Sequence, residues 1–187
     1  MSAGLRVLVV CTGNVCRSPY AERGLRASIS SVGTGRTEVT SAGTRALVGE
    51  PATPPIEAAL AARGIDGTGH EARRLTAGLL AEVDLVLTAT RAHRAAVLEL
   101  RPTLLKRTFT IREFARIVAA MQEQTPGTLP SIRDVADARA LYRPTSPEDD
   151  DVTDPYRLDD AVYRTMAAEL DATFAPIARW ADQIVSA

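Results

Sequence analysis

Both cysteines of this chain fall within one short stretch, Cys11-Thr12-Gly13-Asn14-Val15-Cys16-Arg17-Ser18-Pro19. The run before it, Leu5 to Val10, is apolar, β-branched and of strand length. The run after it, Tyr20 to Ala27, reads as the opening of a helix, with Ser18 as its cap and Pro19 in its first turn. A strand that feeds a tight loop into a helix N-terminus makes backbone N–H groups converge on one point. The helix dipole adds partial positive charge there, which suits an anion of phosphate size. Arg17 can add a planar fork for two phosphate oxygens. The same field favours thiolate over thiol in a cysteine placed in it. A thiolate on the floor of an oxyanion cradle is equipped to attack phosphorus and to form a phosphocysteine. A merely buried Cys11 and a surface Arg17 would leave the Gly-Asn and Ser-Pro punctuation unexplained. Zinc binding by Cys11 and Cys16 lacks partners, because His70 and His93 are the only histidines and no second cysteine pair exists. No metal or other cofactor is expected.

The elements that must position this loop follow in order. Gly33 and Gly35 mark a turn, and Thr37–Ser41 alternates as a second strand ending in the loop Ser41–Gly49. Thr53 and Pro54 open a second helix that Gly64 stops. Ile65–Arg74 is a polar connection, and Thr76 caps a short helix through Leu79, Leu80 and Val83. Asp84–Thr88 is a third strand, and Thr90 caps a helix to about Leu100. His93 reads as a surface residue of that helix. Thr108–Ile111 is a fourth strand, followed by a helix from Arg112 to about Gln124. The last helix starts at Asp159 or Asp160, and Pro176 should kink or split it. Strands alternating with helices predict one α/β domain over 1–187: a doubly wound sheet of four parallel strands with helices on both faces. Ligands of such sheets bind outside the C-terminal strand ends, and the loop after strand 1 lies at such an end.

The stretch from about 125 to 153 is an insertion in this scheme. It holds Pro126, Pro130, Pro144 and Pro147, a short helix near Ile132–Leu141, and the acidic run Glu148-Asp149-Asp150-Asp151. That run reads as a solvated loop and lacks the ligand spacing of a calcium loop. Hydrophobic residues make up 45% of the 187 residues and the formal net charge is −1, which argues against a nucleic-acid surface or an acidic tail. The apolar run near the N-terminus is too short for a signal peptide or a membrane span. Two cysteines in one loop suit a reducing cytoplasm rather than a disulfide framework.

The spacing Cys-x5-Arg-Ser is shared with cysteine-dependent phosphatases, and the whole stretch Cys11–Pro19 directly after the first strand resembles the low-molecular-weight protein tyrosine phosphatase family. The resemblance covers roughly Leu5–Ile111 and Asp154 to the end. It implies hydrolysis of phosphotyrosine through a phosphocysteine, with Cys11 as nucleophile and Arg17 on the phosphate. The phosphate loop would be Thr12, Gly13, Asn14, Val15, Cys16, Arg17 and Ser18. Asp154-Pro155-Tyr156 resembles the family's Asp-Pro-aromatic motif, which implies Asp154 as the acid that protonates the leaving oxygen and then activates water. Asn14, Ser18, Ser41 and His70 match positions that support the loop, and Ser18 would stabilise the Cys11 thiolate. Pocket walls are expected from Thr12, Leu47, Val48 and Tyr156. Apolar walls at the mouth select a long, flat phosphotyrosine, and a phenol leaves far more easily than an alkoxide. Cys16 is either packing or a redox guard that traps oxidised Cys11 as a disulfide, as in some members of the family. The family's usual aspartate after the third strand is Thr90 here, and the segment before Asp154 is longer than the family's.

The stretch Ser41–Gly49 is similar to bacterial members acting on tyrosine-kinase and exopolysaccharide systems. That analogy implies a tyrosine-phosphorylated protein as partner, with no nucleic acid and no membrane. Two other readings compete. An arsenate reductase of the same fold would need an external small thiol, since no resolving cysteine pair lies outside the loop. A non-catalytic phosphate-binding module would not need nucleophile, arginine and acid together.

Overall fold

The computed structural model describes residues 4–32, 34–125 and 127–186, so the expected turn residue Gly33 and the insertion's Pro126 lie outside the described residues. Among these, a four-stranded sheet has the order β2-β1-β3-β4. The strands are β1 (Leu5–Cys11), β2 (Thr37–Gly43), β3 (Leu85–Thr88) and β4 (Thr108–Thr110), and every pairing is parallel. The register sets Val9 beside Ser41 and Leu87, and Cys11 beside Gly43. The order turns back at β1, and the loop that leaves Cys11 sits at that switch point, where open α/β sheets leave a crevice.

Alternation along β1 divides the core. Val7, Val9 and Cys11 face one layer, with α1 (Arg17–Ser28), α5 (Ile111–Gln124) and α7 (Asp160–Ile184). Leu8 and Val10 face the other, with α3 (Ala77–Ala81) and α4 (Arg91–Leu100). With both faces covered, β1 is a nearly continuous buried run rather than an in–out alternation. Helix α2 (Pro54–Ala61) packs against α1 and α7. Gly24 lets α1 lie directly on α7, since a Cβ there would stand 2.2 Å from Phe174 Cε2.

Several expected details change. Helix α1 begins at Arg17, with Cys16 as its N-cap residue, so Ser18 lies inside the first turn and its hydroxyl is free for other work. Strand β2 continues to Gly43, because its last residues still pair with β1 as far as Cys11. Helix α7 runs unbroken through Pro176 for 25 residues, so the proline does not split it. Buried Leu170, Phe174, Ile177 and Trp180 hold it against the sheet on both sides of that residue. None of the helices among the described residues is long and apolar enough to cross a membrane.

The described part of the stretch read as an insertion, 127–153, is anchored rather than loose. It contains α6 (Ile132–Asp137) and short 3₁₀ turns at Ala138–Ala140 and Pro147–Asp150. Trp180 Nε1 donates to Pro130 O at 2.8 Å. Arg139 stacks over the Phe109 ring at 4.0 Å and donates to Glu113 and to the Thr108 carbonyl. The acidic run is solvated only in its first half: Glu148 and Asp149 are exposed, but Asp150 and Asp151 are tied down. Asp150 is buried and accepts from Arg116 Nη1 at 2.6 Å. Asp151 Oδ1 accepts from the Arg91 backbone N–H at the start of α4 at 2.7 Å, where the helix dipole favours an anion. Its carbonyl accepts from Arg112 at 3.0 Å. The reason is local: α4 and α5 turn Arg91, Arg112 and Arg116 toward one strip of chain, and the carboxylates answer them.

Replacing Arg116 with Leu removes the cation from a buried carboxylate. Stability should fall by about 1–3 kcal/mol in denaturant unfolding, with faster amide exchange confined to 143–153.

Candidate active site

Carbonyl groups define the loop after β1. The oxygens of Cys11, Thr12, Gly13 and Val15 accept from the backbone N–H groups of Thr44, Arg45, Leu47 and Thr53, at 2.9 to 3.0 Å. The Asn14 carbonyl meets His70 Nε2 at 2.7 Å. Five successive carbonyls therefore turn outward. In a trans peptide the next N–H points the opposite way, and no cis peptide occurs among the described residues. The N–H groups of Thr12 to Cys16 thus turn inward, joined by the unpaired first amides of α1 at Arg17 and Ser18. That ring of donors can hold a tetrahedral oxyanion.

Two residues make this curl possible. Asn14 adopts φ of +59°, a left-handed conformation that asparagine tolerates. Gly43 sits where a Cβ would come within 2.4 Å of the Thr12 carbonyl oxygen and 3.0 Å of the Asn14 N. Only glycine lets the end of β2 come this close to the loop.

Side chains then tie the loop down from beneath. Asn14 Nδ2 donates to Ser18 Oγ at 2.9 Å and to Ser41 Oγ at 2.8 Å, while its Oδ1 accepts from Arg73 N at 2.8 Å. Ser41 Oγ in turn donates to Glu22 Oε2 at 2.6 Å. Ser18 Oγ accepts from Asn14, so its proton is free for Cys11 Sγ, 2.9 Å away. The structure thus brings Asn14, Ser18, Ser41 and His70 together around Cys11. Glu22 and Arg73 belong to the same network and were not singled out from sequence. The signal for Glu22 was its place four residues after Ser18, on the same face of α1.

Above the loop lies a cavity of about 140 Å³, lined by Cys11, Thr12, Gly13, Val15, Cys16, Arg17, Arg45, Leu47, Asp154 and Tyr156. Val48 is outside this lining and 65% exposed. Arg17 is buried, and its Nη2 donates to Asp154 Oδ2 at 2.6 Å. Its Nη1 reaches the Val152 carbonyl at 3.4 Å, and its Nε has no hydrogen-bond partner. Asp154 is half exposed, and its Oδ1 accepts from Tyr156 N at 3.2 Å, a turn that aims the carboxylate at Arg17. Thr153, next to it, is held by Glu169. Cys16 Sγ lies 3.5 Å from Thr53 Oγ1 and 3.9 Å from Tyr163 Oη, and burial pushes its thiol above the usual value.

His93 is not on the helix surface. It is buried, with Nε2 2.8 Å from Thr12 Oγ1. Sequence spacing missed it because α4 follows β3, and only the sheet order brings β3 beside β1 and so α4 beside the loop.

A thiol at the switch point of a parallel sheet, ringed by amides and faced by an arginine, places the molecule among α/β proteins that build an oxyanion loop on a cysteine after their first strand. The chain belongs to the low molecular weight phosphotyrosine protein phosphatase family, whose model matches residues 6–126. That match ends before Asp154. The chain is similar to the low molecular weight protein-tyrosine-phosphatase Wzb of Salmonella typhi, with 41% identity over 99 residues, 53% of this chain and 63% of Wzb. The matched stretch thus spans less than two thirds of that relative. Among solved structures, the low molecular weight protein tyrosine phosphatase of T. tengcongensis superposes with a TM-score of 0.69 at 31% identity, covering 94% of this chain and 99% of that one. The YwlE arginine phosphatase of Geobacillus stearothermophilus superposes with a TM-score of 0.69 at 27% identity, covering 94% and 91%.

Gly43→Ala should push the Thr12 carbonyl out of place and open the ring of amides. Inorganic phosphate binding, followed by calorimetry, should weaken by at least about 10-fold, since several of the loop's hydrogen bonds must shift together.

Proposed function

We propose that this protein is a cysteine-dependent phosphatase that hydrolyses protein phosphotyrosine through a phosphocysteine intermediate. The observation that carries the reading is the Cys11 sulfur in hydrogen-bond contact with Ser18, on the floor of an amide-ringed loop with Arg17 and Asp154 at its mouth. A phosphoryl group entering the loop takes the place of Asp154 on Arg17 and frees Asp154 to face the leaving oxygen. The Cys11 thiolate attacks phosphorus, the P–O bond to the phenol breaks, and Asp154 gives its proton to the departing oxygen. Water then attacks the phosphocysteine and yields its proton to the Asp154 carboxylate. The P–S bond breaks, and the returning thiolate is stabilised by the Ser18 hydroxyl.

The walls support an aromatic ester. Leu47 and Tyr156 flank the cavity, each partly exposed at its rim. A phenol of pKa near 10 leaves far more readily than an aliphatic alkoxide. The partner is a tyrosine-phosphorylated protein, in keeping with the likeness to the protein-tyrosine-phosphatase Wzb, and the resemblance of Ser41–Gly49 supports a tyrosine kinase of an exopolysaccharide system as that partner. Cys16 lines the same cavity, and in this reading it would trap oxidised Cys11 as a disulfide. The likeness to YwlE supports one second reading, a phosphoarginine substrate, and the assay should offer the phosphotyrosine ester and the phosphoarginine phosphoramidate side by side. Faster turnover of phosphoarginine would replace the tyrosine reading.

Cys11→Ser should abolish turnover of para-nitrophenyl phosphate while keeping vanadate or phosphate binding, because the cradle is backbone amide and Arg17. Retained turnover would remove the mechanism.

Asp154→Asn should slow phenyl phosphate hydrolysis by roughly 10²–10⁴-fold. The loss should shrink for esters of very acidic phenols, which need less proton assistance. An equal loss across leaving groups would assign the acid to another residue.

A further inference from the structure

Behind Thr12 lies a chain of hydrogen bonds that the reaction above does not use. His93, on α4, is buried, with Nδ1 2.7 Å from Thr90 Oγ1 and Nε2 2.8 Å from Thr12 Oγ1. Thr12 Oγ1 in turn accepts from Arg17 Nη2 at 3.4 Å. The charges facing the ring are Arg17 and Arg45 against Asp154 and Asp151. Burial first, and the Arg17 cation second, hold the ring down to a pKa of about 4, so it is neutral at ordinary pH. A neutral imidazole has one donor nitrogen and one acceptor. The cation on the loop side favours the lone pair there, at Nε2. The Thr12 hydroxyl then donates its proton to Nε2, and Nδ1–H donates to Thr90, whose oxygen also caps α4 by accepting the His93 backbone N–H at 3.3 Å. With its proton committed to the ring, Thr12 presents only lone pairs to Arg17.

Arg17 needs such an anchor. Its Nη2 is held mainly by Asp154 at 2.6 Å, the contacts of Nη2 to Thr12 and of Nη1 to Val152 are both 3.4 Å, and its Nε has no hydrogen-bond partner. A phosphoryl group that displaces Asp154 takes away the firmest of these. Thr12 belongs to the loop itself and stays.

We propose that His93 is a positioning residue of the phosphate site: through the Thr12 hydroxyl it holds the Arg17 fork toward the bound phosphoryl group. This rests on the reading of the loop as a phosphate cradle, but not on turnover. The Thr90–His93–Thr12–Arg17 chain joins the end of β3 to the end of β1, so it also locks the loop to the neighbouring strand.

The test is a double-mutant cycle read on inorganic phosphate affinity, with kcat and KM for para-nitrophenyl phosphate beside it. His93→Phe and Thr12→Val should each weaken phosphate by about 10-fold, and the double variant no more than Thr12→Val alone. His93→Gln should recover part of the loss, because its amide oxygen can accept the Thr12 proton. Nitrogen-15 NMR of the unaltered protein should show a neutral His93 ring protonated on Nδ1 between roughly pH 6 and 8. Additive losses, unchanged phosphate affinity in His93→Phe, or a ring proton on Nε2 would overturn the proposal. If phosphate affinity follows the expected pattern and aryl phosphates are not turned over, the positioning role stands and the enzymatic reading falls.

Discussion

The outward turn of the loop's carbonyl groups is the constraint on which the other features depend. A run of peptide units that all aim N–H groups at one point repels itself and leaves those donors short of acceptors. It persists only if each carbonyl finds a fixed partner on the far side. Those partners come from the chain that follows β2, at Thr44, Arg45, Leu47 and Thr53, and from His70. The loop is therefore held as a template by a second segment, and the ladder between β1 and β2 sets the two segments in register. Gly43 is the point of nearest approach, which explains why β2 must end in a residue without a side chain.

Charge follows from that frame. The loop and the start of α1 concentrate partial positive charge, and Arg17 adds a full one in a buried position. Asp154 is the acidic group in direct contact with Arg17. It comes from a point 137 residues further along the chain, so its placement depends on what holds its segment. The Val152 N–H bonds the Ala89 carbonyl at the end of β3, Asp151 caps α4, and Asp150 pairs with Arg116 on α5. The acidic run is thus a tether. Glu148, Asp150 and Asp151 face the arginines of two helices, and the tether delivers Asp154 to the mouth of the cavity opposite the loop.

The polar network beneath the loop is directional. Asn14 donates on both sides because Arg73 N–H occupies its oxygen, Ser41 donates to Glu22, and Ser18 is left to face the sulfur. A chain of this kind in a buried site has one low-energy arrangement of protons. Glu22 is steadied in turn by Arg26, one helical turn on. The network therefore links loop shape and the hydrogen bond at Cys11 to the packing of α1 on the sheet.

Much of this was legible in the residues alone. The strand–loop–helix order, the parallel sheet and the grouping of Cys11 with Arg17 follow from local patterns: β-branched runs, turn punctuation and a helix start, each spanning a few residues. Short-range caps such as Thr76, Thr90 and Asp159 could be read for the same reason. What lay beyond the sequence was set by contacts between distant segments. Ser18 gave up its expected capping role because the helix starts one residue before it and its hydroxyl is shared between Asn14, from which it accepts, and the Cys11 sulfur. His93 turned inward because the strand order, not its place on α4, decides which face of that helix meets Thr12. The acidic run became a tether because three arginines from two other elements converge on it. Sequence periodicity tells which residues share a face of their own element, and only the packing of elements decides what that face will touch.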